Sequence, residues 1–186
     1  MITINTTKIE DGPKIEEIAT GVFGPNYYQP PELDSEGNVF VTARFNDSIV
    51  GFGLANIFVE KEIETLLSKP EFPSFLTESA LKKELGVIKT IAVSEEAQGK
   101  GLGSLIFSEL EDRLRLIGAK RFLLPAWKDC KGIRIGRLAD KKGYKQFVEI
   151  NHFWKDDCDN QRFQCISRTD SCICSVVFYH DTYSLS

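Results

Sequence analysis

A chain of 186 residues, 42% hydrophobic and 27% charged, carries enough apolar material for one core and too little length for two full domains. The formal net charge of −4 lacks the basic field that draws in nucleic acid or an anionic membrane, so a small-molecule or peptide substrate is expected. No apolar run approaches the roughly 20 residues needed to cross a bilayer, and the first eleven residues lack the apolar core of a signal peptide, so the expected location is the cytoplasm.

Ile2 to Asn5 alternates as a short strand, and Ile15, Ile18, Ala19 and Val22 recur at helical spacing behind Pro13, which suits a first turn. Gly24 to Asn38 is rich in turn formers, with Tyr27 and Tyr28 embedded, and reads as a long loop. Val39 to Phe45 and Ser48 to Val59 form a hairpin around Asn46-Asp47, with Gly51 and Gly53 marking a bulge or a close backbone approach. From Glu60 to Glu84 the pattern is mixed. Ile63, Leu66 and Leu67 share one helical face, Pro70 and Pro73 interrupt it, and Phe75 to Leu85 reads as a second short helix.

Gly86 to Val93 then reads as a buried strand and Gly101 to Ile117 as a helix, with Leu102, Leu105, Ile106, Leu110, Leu114 and Ile117 on one apolar stripe. Gly118 ends that helix, and Arg121 to Leu124 is a short strand halted by Pro125. A helix from Lys131 to Lys142 closed by Gly143, then strands at Tyr144 to Trp154 and Ile173 to His180, complete a mixed α/β order around a largely antiparallel sheet. One domain over 1–186 is expected, with a cysteine-rich segment at 155–186.

The informative stretch is Gln98-Gly99-Lys100-Gly101-Leu102-Gly103-Ser104, a glycine-rich turn between a strand and the start of a strong helix. Glycines there leave backbone N–H groups open at the positive end of the helix dipole, which makes an anion site suited to a pyrophosphate. Gln98, Lys100 and Ser104 add side-chain donors. The dinucleotide fingerprint G-x-G-x-x-G fails at Ile106, and no G-x-x-x-x-G-K-[ST] loop is present.

Gln98 to Gly103 resembles the Q/R-x-x-G-x-G/A signature of the GNAT superfamily of N-acetyltransferases, and Ile91-Ala92-Val93-Ser94 resembles the strand that leads into it. Gly143-Tyr144 is similar to that family's G-F/Y pair. The resemblance implies a twisted, mostly antiparallel sheet of six to seven strands flanked by helices. It also implies acetyl-CoA as co-substrate, held by Ile91, Ala92, Val93 and the backbone and side chains of Gln98, Gly99, Lys100, Gly101, Leu102, Gly103 and Ser104, with no metal required for catalysis. A homodimer is the assembly it suggests. The reaction so implied is acetyl transfer to a primary amine of a small molecule or peptide by direct attack. The alternative is a GNAT-like module that binds acyl-CoA without efficient turnover.

In that reaction the Val93 N–H would polarise the thioester carbonyl, and Glu84, Asp129 and Glu149 are conceivable proton acceptors. The family's usual acidic tyrosine is replaced by Ala139, and an asparagine that often lines the cofactor is replaced by Gly132. Tyr27 or Tyr28 could substitute, and Trp127 could wall the acceptor pocket. Acidic residues in the two variable stretches, among them Glu32, Asp34, Glu36, Glu62 and Glu64, would suit a cationic amine. Cys158, Cys165, Cys172 and Cys174, with His152 and His180, invite a zinc or disulfide reading. The spacing contains only one close pair, so ordinary thiols are the simpler reading.

Overall fold

The computed structural model describes residues 1–27, 37–57, 65–67, 69–160, 165–167 and 172–182. Its strands are β1 (Ile2–Thr6), β2 (Asn38–Phe45), β3 (Ser48–Asn56), β4 (Leu85–Val93), β5 (Arg121–Asp129), β6 (Gly132–Ile133), β7 (Lys145–Asn151) and β8 (Ser175–His180). They form one sheet in the order β1-β2-β3-β4-β5-β8-β7, with β6 paired to β5. Every pairing is antiparallel except β4 with β5. The predicted mixed α/β architecture around a mostly antiparallel sheet is therefore the observed one. The helices are α1 (Gly12–Phe23), α2 (Ser74–Leu81), α3 (Leu102–Leu116), α4 (Gly136–Lys141) and α5 (Lys155–Asp159). Among the described residues, no helix is long and apolar enough to cross a membrane.

Alternation along the strands sends side chains to two faces, and each face carries its own helices. Val39, Val41 and Ala43 pack on α3 through Ile106, Phe107, Leu110 and Leu114. Phe40, Phe52 and Ala92, on the opposite face, pack on α1 through Ile15, Ile18 and Ala19. Leu76 of α2 joins Val87, Leu123 and Phe178 in a separate cluster. The predicted hairpin turn at Asn46-Asp47 has both residues in the left-handed region (φ 46° and 68°), the conformation two-residue hairpins favour.

Several elements differ from expectation. Leu105 and Ile117 are 46% and 47% exposed, and the buried stripe of α3 runs instead through Phe107 and Glu111. Glu111 enters the core because it accepts the Tyr144 hydroxyl at 3.0 Å and a long contact from Arg115 at 3.4 Å. The helix expected from Lys131 shrinks to α4, because Gly132 (φ 104°) and Ile133 pair with Asp129 and Lys128 first. The strand expected to reach Trp154 stops at Asn151, where His152 turns the chain at φ 56°. The last strand begins at Ser175 rather than Ile173. Residues 58–64, over which the end of the second hairpin strand and Ile63 were expected, lie outside the described residues.

Gly51 and Gly53 serve a close approach. A Cβ at Gly53 would sit 2.5 Å from Ile106 Cγ2 and 2.9 Å from Leu110 Cδ1, and one at Gly51 would sit 2.8 Å from the Ala92 carbonyl oxygen. Without side chains there, β3 lets α3 lie directly on the sheet. Gly53→Ala is expected to destabilise the fold by about 1–3 kcal/mol through overpacking, read as a lower urea midpoint with an unchanged m-value.

Candidate functional site

Strands β4 and β5 pair only where Leu85, Gly86 and Val87 meet Arg121, Phe122 and Leu123. Beyond that point they part. On the β3 side, Ser94 N–H donates to the Val50 carbonyl at 2.8 Å, in register with the Ala92–Phe52 and Thr90–Leu54 pairs. Antiparallel alternation then turns the backbone N–H and C=O of Ile91 and Val93 the other way, into the opening. A register shift between Leu54 and Ala55 leaves Lys89 as the extra residue of β4 at the point where the strands separate.

The same alternation explains why β5 runs through Pro125 where the sequence suggested a stop. Asp181 N–H donates to the Phe122 carbonyl at 3.2 Å, so the even-numbered residues of β5 face β8. Pro125, an odd position, turns its nitrogen toward the opening, where no ladder bond is required of it.

Past Val93, a short turn of helix (Glu95–Ala97) leads to Gln98, then to Gly99 and Gly101 at φ 75° and 80°. These left-handed positions require glycine, and a Cβ on either would meet nothing within 4 Å, so the cradle they line is open. No side chain caps α3, which leaves the first-turn amides of Leu102 and Gly103 directed outward. Gln98 Nε2 donates to the Val93 carbonyl at 3.1 Å, and Lys100 Nζ to the Glu96 carbonyl at 2.9 Å, holding both side chains at the rim. Ile91, Val93 and residues 98–104 thus converge on one edge. Ala92 points to the α1 face and Leu102 into the core.

A cavity of about 660 Å³ occupies the opening, floored by residues 88–91 of β4 and 124–127 of β5. Phe23 and Tyr27 close it from the end of α1, Arg134 and Ile135 from the approach to α4, and Phe153, Trp154, Asp156 and Asp157 from the chain after β7. The Tyr27 hydroxyl lies 3.3 Å from Thr90 Oγ1, at the bulged edge of β4, and its ring stacks on Phe23 at 4.2 Å. Trp127 lines the same space, with the Arg134 guanidinium 5.0 Å from its ring centre.

The profile of the acetyltransferase (GNAT) family matches residues 10–129. The chain belongs to the GNAT family of acetyltransferases. Among solved structures, the ribosomal-protein-S18-alanine N-acetyltransferase from Escherichia coli superposes with a TM-score of 0.65 at 15% identity, over 100% of this chain and 96% of that one. An N-acetyltransferase from Staphylococcus aureus Mu50 gives 0.63 at 15% identity, over 97% of each chain. A GNAT family acetyltransferase from Elizabethkingia anophelis, with acetyl-CoA bound, gives 0.59 at 14% identity, also over 97% of each. At these identities the likeness establishes a GNAT fold. No curated protein matches the chain in sequence.

The three candidate proton acceptors fall elsewhere. Glu84 precedes β4 at its closed end and pairs with Lys120 at 2.5 Å. Glu149 lies on β7, and its hydrogen bond from Lys128 at 2.7 Å holds its carboxyl below the usual range. Asp129 is buried at the end of β5. Burial alone would raise its pKa, but Ser167 Oγ (2.7 Å), the Lys131 N–H (2.8 Å) and Arg134 (3.3 Å) outweigh it and hold the carboxyl below its ordinary value. A carboxylate engaged by three donors is a clamp for the cavity wall rather than a base. Ala139 is fully buried and offers no hydroxyl. Tyr28 and the acidic residues Glu32, Asp34, Glu36, Glu62 and Glu64 lie outside the described residues.

Cys158, Cys165, Cys172 and Cys174 are not disulfide-bonded; they are buried and packed with Trp127 and Trp154. Cys165 and Cys174 sulfurs are 3.9 Å apart. The two histidines are engaged elsewhere: His152 Nδ1 contacts the Cys172 carbonyl at 3.0 Å, and His180 meets Phe75 edge-on and Phe147 at a tilt. Among the described residues, no three metal-ligating side chains are gathered to hold an ion.

Because Asp129 ionises below the ordinary range, its charge favours folding at neutral pH, and that contribution is lost as pH falls through the lowered pKa. Asp129→Asn should cost about 2 kcal/mol at neutral pH, with the gap to the parent protein closing in acid, as measured by urea denaturation at both pH values.

Proposed function

We propose that this protein is a single-domain, cytoplasmic N-acetyltransferase that moves an acetyl group from acetyl-CoA to a primary amine by direct attack. The observation that carries the reading is the parting of β4 from β5 beside the glycine turn. Backbone groups of Ile91 and Val93 face that opening, where an amide-bearing pantetheine arm pairs with them as an added strand would; the Val93 carbonyl is shared with Gln98 Nε2. The pyrophosphate then falls at the uncapped start of α3, where the amides from Gly99 to Gly103 and the helix dipole favour negative charge, and the Lys100 and Ser104 side chains reinforce them.

In this arrangement the amine nitrogen attacks the thioester carbon, the carbonyl becomes an oxyanion facing the Val93 N–H, and the C–S bond breaks to release the CoA thiolate. A thiol with a pKa of about 8.5 leaves without obligatory protonation, so Ala139 does not stop the reaction. The ammonium proton passes to solvent through the open cavity, which Tyr27 lines. Ala139 favours a second reading, a module that holds acyl-CoA without turnover, and release of free thiol in the presence of an amine separates the two.

Calorimetric titration with acetyl-CoA, using ATP and NAD as controls, should give micromolar binding to acetyl-CoA alone, on the order of −8 kcal/mol. Absence of binding would overturn the reading. Gly103→Asp is the sharper variant, because a Cβ there meets only Leu138 Cδ2, at an ordinary 3.8 Å, and the helix tolerates it. It should fold normally and lose acetyl-CoA affinity by about 100-fold or more, since a carboxylate then occupies the phosphate cradle.

A further inference from the structure

The cavity continues into a smaller lobe whose chemistry is unlike the rest of the opening. About 210 Å³ in volume, it is walled by Phe23, Tyr27, Trp127 and Trp154, with Asp157 at its border. Thiols of Cys158, Cys165 and Cys174 form the remainder of its lining. The five named aromatic and acidic residues also line the larger cavity, so the two spaces are continuous.

The lobe lies on the face of the sheet opposite α3. Leu124 and Ala126 of β5 pack with α3 and Leu123 packs with α2, so alternation puts Trp127 on the α2 and α1 side. Phe23 ends α1, which covers that same side. The glycine turn and α3 therefore approach the opening from one face, and the aromatic lobe from the other.

We infer that the acceptor is a primary amine carried on a short alkyl chain that ends in an aromatic ring, with the ring in this lobe and the amine in the opening between β4 and β5. The inference rests on the acetyl-transfer reading above. An apolar cavity of about 150 Å³ accepts a benzene molecule, so this lobe has room for one substituted ring. Aromatic walls offer offset and edge-on stacking, and sulfur adds favourable contacts at ring edges. Burial pushes Cys158 and Cys174 up to about 12, so these two thiols stay neutral at physiological pH.

The same lining argues against other amines. A polyamine would bring several charges to a lobe bordered by one acid, and an aminosugar or peptide would bury hydroxyl or amide groups against carbon and sulfur, at a cost for each unsatisfied group.

Trp127 and Trp154 are the chain's two tryptophans and both line the lobe, so its intrinsic emission reports on this site alone. Phenethylamine should change that emission saturably, and spermidine should not. With acetyl-CoA saturating, free-thiol release should favour phenethylamine or tryptamine over spermidine, an aminoglycoside and a glycine-initiated peptide by about tenfold or more in kcat/KM. Trp154→Ala should raise KM for phenethylamine by about tenfold and Trp154→Phe should largely restore it, with acetyl-CoA affinity by calorimetry unchanged in both. A preference for spermidine, aminoglycoside or peptide by a protein that binds acetyl-CoA would overturn this assignment and leave acetyl transfer standing. Failure to bind acetyl-CoA would overturn both.

Discussion

The structure depends on a limit to one pairing: β4 and β5, the only parallel neighbours among the described residues, share three register positions and then separate. A parallel pair needs a crossover, and here α3 supplies it, leaving β4 at its C-terminal end and returning to the start of β5. The paired residues, Leu85 to Val87 and Arg121 to Leu123, hold the closed end, where Leu85, Val87 and Leu123 are buried with Leu76 and Phe178. The separation leaves backbone groups facing a gap inside the sheet. Such groups are costly to leave without partners, which makes the gap a place for a ligand or water to bind.

The position of the anion cradle follows from how closely α3 can approach. Gly51 and Gly53 let Ile106 and Leu110 reach the strand backbone, and the buried Glu111–Tyr144 bond ties the middle of the helix to the start of β7. With the helix fixed in this way, its uncapped first turn comes to rest beside Val93, so the open amides of the helix and the open amides of the strand share one edge.

Much of this was legible in the sequence, and the reasons for the exceptions are specific. The strand, glycine turn and helix from Gly86 to Ile117 were legible because periodicity and glycine spacing are local signals. Pro125 misled because its tolerance depends on which side of β5 lacks a partner, a fact set by β4 and β8. Leu105 and Phe107 exchanged places because two helical residues on either side of Ile106 fit a stripe almost equally, and only the shape of the sheet decides between them. Glu84, Asp129 and Glu149 were candidates by residue type, and each was claimed by a cation from another segment. The aromatic lobe was unreadable for a related reason: Phe23, Tyr27, Trp127 and Trp154 come from three stretches of chain far apart in sequence, and no spacing rule links them.

Placing the donor cradle and the aromatic lobe on opposite faces has a chemical consequence. Two substrates that enter from the same side must compete for space or bind in a fixed order, whereas substrates that enter from opposite faces meet only at the gap between the strands. Reaction then requires little more than that both be held, because the thioester is already activated and its thiol leaves readily. On this view the loss of a tyrosine at Ala139 is tolerable, since it removes an acid from a step that has little need of one. On the same view the Asp129 clamp and the close seat of α3 matter more, because they hold the cavity wall and the start of α3 in place.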